Sequence, residues 1–422
     1  MTNTASRDNR RLALVVLCAG MLMIILDSTI VNVALPAIQE DLGFSQTSLA
    51  WVVNAYLIAF GGLLLLAGRL GDLTGSRRIF LAGLAVFTAA SLVCGLAQSQ
   101  EALIAARFVQ GVGGALTSGV ILGMIVTMFP QPREQAQAIG IYAFVASAGA
   151  SIGLLAGGAL TQWINWHWIF FVNLPIGIAT ALLALRLVAN DRGIGIGRAT
   201  DVLGAVLVTA ALMLGVYTIL EAGDQGWAST HTLGFGAASL ALLAAFVHRQ
   251  ATTRNPLVPL RIFRSRNVAG ANVVQMLMVS GLFGMFFLGV LYMQRLLGYD
   301  AIDTGLAFLP VAVLIGALSL GVSARLNMRF GARATLVPGL VLVAAGLVLF
   351  TRAPLGASYV TEVLPVMLLL GTGAGLVFPS LTTLAMSGAT PGDAGLAGGL
   401  LNTSLQVGGA LGLAVLAALS TG

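Results

Sequence analysis

Runs of about 20 apolar residues alternate with short polar breaks along this chain, and about 20 such residues are what a helix needs to cross a bilayer. The runs lie near 12–34, 48–66, 79–98, 102–128, 138–160, 168–188, 200–220, 232–248, 268–292, 304–323, 333–350, 360–386 and 396–418, so the pattern predicts thirteen spans. Lipid offers the backbone no hydrogen bonds, so each run is expected to be helical and the chain to be an all-α polytopic membrane protein. The first run follows Arg7, Arg10 and Arg11. It is too long for a signal-peptide core and has no small-residue cleavage site, so it is expected to stay as the first helix.

Charge sets the orientation. With the N-terminus in the cytoplasm, only Arg295 and Arg352 fall in outer loops, Arg107 lies within a span, and every other arginine falls inside. That is the positive-inside bias, and it accounts for the net charge of +6 through topology, without nucleic-acid binding. The expected location is a bacterial-type cytoplasmic membrane. An odd count places the C-terminus outside, which leaves two expectations: a chain that ends there, or a fourteenth helix missing after Gly422.

Composition narrows the class. Hydrophobic residues make up 58% and charged residues 9%, with a mean hydropathy of +0.96, whereas a soluble chain carries about 25% charged residues. The 53 glycines suit close helix packing. All 21 basic residues are arginine, which excludes a P-loop ATPase and any lysine Schiff-base chemistry. Cys18 and Cys94 sit in apolar runs, and His167, His231 and His248 are scattered, so no metal site or disulfide framework is expected. No nucleophile–base pair emerges, so the chain is not expected to be an enzyme.

Three segments recur in order, as repeated halves would require. Gly68 to Arg77 resembles Ala324 to Arg333; Gln110 to Gly114 resembles Leu370 to Ala374; Gly149 and Gly153 match Gly408 and Gly412. The organisation read from this is a cytoplasmic tail at 1–11, a six-helix half at 12–188, and a cytoplasmic linker at 189–199. Two inserted helices follow at 200–248, then a basic cytoplasmic loop at 249–267 and a second half of five spans at 268–422. The copies differ where charge matters: Met328 stands opposite Asp72, and Met367 opposite Arg107.

Asp27 and Arg107 are the charges well inside spans, where each costs roughly 2.5–3.5 kcal/mol on insertion scales, so both are functional candidates. Counting residues from the outer helix ends puts them about 12 and about 9 Å deep. A carboxylate beside an arginine can carry a proton reversibly; the alternative is a structural ion pair. Asn32, Asn54, Tyr56, Gln110, Asn272, Gln275, Asn402 and Gln406 punctuate apolar helices. Each could line a cavity or bond a neighbouring helix. In the loop after the second helix, Gly68 and Gly75 allow tight approach, and Asp72 can cap or pair with Arg77 or Arg78. The cluster reads as a latch that forms in one transport state, or else as a plain cytoplasmic anchor.

The run from Leu26 to Pro36 resembles the first-helix signature of the fourteen-span drug:proton antiporters of the major facilitator superfamily, the EmrB/QacA type. Gly68 to Arg78, Arg107 to Gly111 and Trp168 to Pro175 are similar to its helix 2–3 loop, fourth-helix and sixth-helix patterns. Where the antiporter motif of the fifth helix has Gly-Pro, this chain has Gly153-Leu154, with Gly149, Gly157 and Gly158 kept for packing. The resemblance implies the major facilitator fold: two six-helix-type halves with two extra helices between them. It implies export of a small amphipathic organic substrate by alternating access, driven by a proton gradient with neither ATP nor a cofactor, with Asp27 as the proton carrier. An exporter of one endogenous metabolite and a non-transporting sensor with the same fold are the rival expectations.

Overall fold

The computed structural model describes residues 2–191, 193, 195, 201–253, 256–299, 301–354, 358–389 and 393–420. Of the arginines assigned to inner loops, Arg192, Arg198 and Arg254 lie outside the described residues, as does the end of the 189–199 linker.

The described residues are almost wholly helical. The order is α1 (Thr2–Leu42), α2 (Gln46–Thr74), α3 (Ser76–Gly95), α4 (Gln100–Met128), α5 (Pro132–Trp163), α6 (Trp168–Phe171) and α7 (Asn173–Leu187). Then come α8 (Val202–Gln225), α9 (Thr230–Thr252), a 3₁₀ turn at Leu260–Arg264 and α10 (Arg266–Leu291). The last part holds α11 (Ala301–Ala317), α12 (Ser323–Phe330), α13 (Ala332–Phe350), α14 (Leu364–Ser387) and α15 (Ala394–Ser420). Three π-helical turns, Tyr292–Leu296, Leu318–Val322 and Tyr359–Val363, flank helices of this last part. Among the described residues, 11 helical segments are long and apolar enough to cross a membrane. The fifth and thirteenth apolar runs are occupied by α5 and α15, of 32 and 27 residues. The first helix is longer than its apolar run: it starts at Thr2, carries Arg10 and Arg11, and continues through Pro36.

The chain forms two compact units. The first comprises Met1–Met128, Ile152–Arg266 and Ala389–Thr403. Here α4 is buried along most of its length, between α2 and α3. Gly111 makes that closeness feasible, because a Cβ there would collide with the carbonyl oxygen of Tyr56. Near the predicted outer ends, Leu26, Ile30, Ile38, Val52, Leu103, Trp166 and Phe170 pack into one apolar core. Apolar side chains such as Val15, Leu182, Leu240 and Val247 are exposed, as suits helices whose solvent is hydrocarbon. The second unit comprises Phe129–Ser151, Asn267–Gly388 and Ser404–Gly422. Within it α13 packs on α14, where Gly339 and Gly373 meet backbone to backbone.

The inserted helices α8 and α9 form a hairpin that packs on α2 through α8. Its base is closed by Asp201, the N-cap of α8. The backbone N–H of Gly204 donates to Asp201 Oδ1 at 2.9 Å, Arg249 Nε to the same oxygen at 2.6 Å, and Gln250 Nε2 to Oδ2 at 2.7 Å. Burial pushes the Asp201 carboxyl up, but the bonds from Arg249, Gly204 and Gln250 outweigh it and hold the group below the usual carboxylate range. The folded state therefore favours the charged form, and its contribution is present near neutral pH. That contribution is lost as pH falls through the lowered value. We expect Asp201→Ala to destabilise the solubilised protein by about 2 kcal/mol at neutral pH, since it removes a cap and orphans two donors. The gap to wild type should narrow on acidification below the carboxylate range, as read by thermal unfolding at a series of pH values.

Candidate functional site

Asp27, on α1, and Arg107, on α4, are both completely buried and form an ion pair, with Arg107 Nη1 donating to Asp27 Oδ2 at 2.6 Å. A charge in that setting is tolerated only when every lone pair and proton is used. Asp27 Oδ1 accepts from Gln110 Nε2 and from Asn173 Nδ2, each at 2.8 Å. Gln110 sits one turn along α4 from Arg107, so its Oε1 also accepts from Arg107 Nη1, at 2.6 Å. Arg107 Nε donates to the Val52 carbonyl of α2 at 3.0 Å, and the guanidinium lies 4.3 Å from the centre of the Tyr56 ring. Ser91 of α3 accepts from Gln110 Nε2 at 2.8 Å and donates its own hydrogen bond to the Phe87 carbonyl. Five helices thus converge on one carboxylate, and every side chain bonded to that carboxylate is a donor.

This arrangement has one chemical consequence. All three bonds are donated to the Asp27 carboxylate. Three donors use three of the roughly four lone-pair positions of the carboxylate, and a proton on the remaining one removes the charge that Arg107 pairs with. The carboxylate is therefore coupled to the position of its neighbours. Two buried polar atoms close by, Tyr56 Oη and Asn173 Oδ1, have no partner in this arrangement.

A second cluster is built around Asp72. Its Oδ1 and Oδ2 accept from the backbone N–H groups of Gly395 and Leu396, each at 2.9 Å, so it caps the N-terminus of α15. Neither expected partner, Arg77 or Arg78, meets Asp72. Arg77 donates to the Leu185 carbonyl through Nη2, and Arg78 is exposed. The reason is local. Gly75 has φ of +107°, which turns the chain sharply between α2 and α3 and carries both arginines away from Asp72. Asp191 then binds the start of α3, accepting from the N–H groups of Ser76 and Arg77 at 2.7 and 3.1 Å. Gly68 is required because a Cβ there would strike the Gly395 carbonyl oxygen.

The structure gathers some predicted residues and separates others. Asp27, Arg107, Gln110 and Tyr56 share one site. Gly153 and Gly157 lie against Leu26, Thr29 and Ile30 of α1, whereas a Cβ at Gly158 would meet only Val33, at 4.0 Å. Gly149 is buried in the second unit. Asn32 is exposed and bonds the Ser28 carbonyl of its own helix, and Asn54 is half-buried. Asn272 bonds Val268 and accepts from Ser404, as a packing amide does. Gln275 is buried with Oε1 unpaired, Asn402 has its Nδ2 unpaired, and Gln406 is half-buried. Ser91, Asp191 and Asp393 were not legible as site residues. Asn173 falls within the sixth-helix pattern, and an amide in an apolar run is a signal in its own right.

Residues 17–413 match the Major Facilitator Superfamily. The chain is 40% identical over 412 residues to the puromycin resistance protein pur8 of Streptomyces alboniger, covering 97% of this chain and 81% of that one. It is 38% identical over 415 residues to the cephamycin export protein CmcT of Amycolatopsis lactamdurans, covering 98% and 85%. The fold is similar to that of the human organic anion transporter MFSD10, with a TM-score of 0.72 at 16% identity over 97% of this chain and 93% of that one.

The site geometry makes Arg107 and Asp27 energetically interdependent. Arg107→Met should destabilise by about 3–5 kcal/mol, because it strands a buried carboxylate. Adding Asp27→Asn to that variant should recover part of the loss. Thermal unfolding of the single and double variants gives the coupling, and strictly additive losses would mean that the pair does not interact in solution.

Proposed function

The chain belongs to the Major Facilitator Superfamily, and from that premise we propose that it exports small amphipathic drugs across the cytoplasmic membrane in exchange for protons. Similarity to proteins named for puromycin resistance and cephamycin export supports the substrate class and the direction. The observation that carries the coupling is the buried Asp27 carboxylate held by Arg107, Gln110 and Asn173. A proton arriving from outside neutralises Asp27 and frees Arg107 from its ion pair. Loss of that proton to the cytoplasm restores the pair. Drug and proton occupy the transporter in alternate halves of the cycle, and the gradient supplies the free energy, with no cofactor and no ATP. The positive-inside bias of the arginines supports an N-terminus in the cytoplasm.

An exporter narrowed to one compound is the second reading, favoured by similarity to a protein named for a single antibiotic. In everted vesicles, a panel of lipophilic drugs should dissipate the pH gradient with the wild-type chain. Asp27→Asn should abolish that response while the protein still inserts and binds substrate. Robust dissipation by the variant would move the proton site elsewhere, and a response to one compound only would select the narrow exporter.

A further inference from the structure

The inserted hairpin and the basic segment after it end on the same helix terminus that Asp72 caps. Arg261, in the 3₁₀ turn, donates from Nη2 to Asp393 Oδ2 at 3.1 Å, and Asp393 immediately precedes α15. Arg69 Nη1 of α2 stands 3.7 Å from the other oxygen of Asp393. Arg261 is well exposed, but Asp393 is only 8% exposed through its side chain. Two arginines and two carboxylates, Arg69, Arg261, Asp72 and Asp393, therefore form an electrically neutral group around the first turn of α15. Removing Arg261 leaves it one negative charge in excess.

The segment that carries Arg261 is tethered. The Val258 N–H donates to Gln250 Oε1 at 3.0 Å, and Gln250 Nε2 donates to Asp201, so the segment is fastened to the base of the hairpin. Leu257, Val258 and Ile262 are buried. The hairpin in turn follows α2, because Gly62 receives Met213 of α8 at a distance that leaves no room for a Cβ. The contacts close a ring: α2 to α8, α8 to α9, α9 to the basic segment, that segment to Asp393, and Asp393 with Leu396 back to α2.

We infer that the two inserted helices serve as a clasp for the cytoplasmic gate, with Arg261 as the positioning residue that holds the start of α15 against α2. In a closed ring, α15 cannot leave α2 by breaking the Asp72 cap alone; the Arg261–Asp393 contact has to open as well. Asp72 supplies a bond to backbone, and Arg261 adds a charge contact set by a segment outside both repeated halves. The consequence for transport rests on the exporter reading above, whereas the clasp itself does not.

The test uses the full-length chain in inside-out vesicles, with Ala397→Cys as a reporter. Ala397 is wholly buried one turn into α15. The chain without the reporter gives the background from the buried Cys18 and Cys94. A membrane-impermeant maleimide should label the reporter slowly in the parent. Arg261→Gln and Asp393→Asn should each speed labelling by roughly tenfold, the shift expected for one lost charge-assisted contact. Arg261→Lys should restore slow labelling, and Gln250→Leu, which unfastens the segment without touching Asp393, should speed it as Arg261→Gln does. Unchanged labelling in Arg261→Gln would overturn the clasp, as would fast labelling in Arg261→Lys equal to that of Arg261→Gln. Fast labelling alongside absent drug-dependent proton flux in every form, wild type included, would keep the clasp and reject the exporter reading.

Discussion

A carboxylate without water has to find its donors in the protein, and this requirement organises the first unit. Asp27 obtains one donor from Arg107, one from Gln110 and one from Asn173, and these residues come from α4 and α7 while Asp27 belongs to α1. Arg107 in turn draws on the Val52 carbonyl and the Tyr56 ring of α2, and Ser91 brings in α3. Burial of one charge thus fixes the relative placement of five helices. In hydrocarbon there is little hydrophobic drive between helices, so such polar contacts and close glycine packing carry the association. The same requirement gives the site its chemistry, because a proton on the carboxylate removes the charge around which its donors are gathered.

The cluster around Asp72 solves a different problem with related means. The first turn of a helix presents unpaired N–H groups and a positive dipole end, which favour a carboxylate. Asp72 meets that need on α15, and Asp191 meets it on α3. Both contacts are reversible, since water and another acceptor can replace the carboxylate when the helices part. Arg69 and Arg261 then balance the charge that Asp72 and Asp393 bring together. A gate of this kind is held by a few directional contacts, which suits an element that has to open on each cycle.

The sequence made the outline of this protein legible for physical reasons. Lipid forces every spanning segment to satisfy its own backbone, so apolar length alone reveals the helices. The cost of a buried charge makes Asp27 and Arg107 conspicuous in apolar runs. Partner choice was less visible. The sequence suggests that Asp72 meets Arg77 or Arg78, at most six residues away, but it caps a helix more than three hundred residues downstream. Polar amides in spans looked alike in sequence, yet Gln110 reached the ion pair, Asn272 bonded its own helix and Ser404, and Asn32 faced outward.

The set of helices and the identity of the two buried charges follow from the sequence by itself. These depend on the solvent that each segment meets, which is a property of the segment. What only the tertiary structure decided was which donors saturate Asp27, which helix end Asp72 caps, and that Arg261 of the basic segment reaches Asp393. Those outcomes depend on rotation and approach of helices far apart in the chain, down to the absence of a Cβ at Gly68. No local pattern encodes that geometry, because it is settled only when the helices pack.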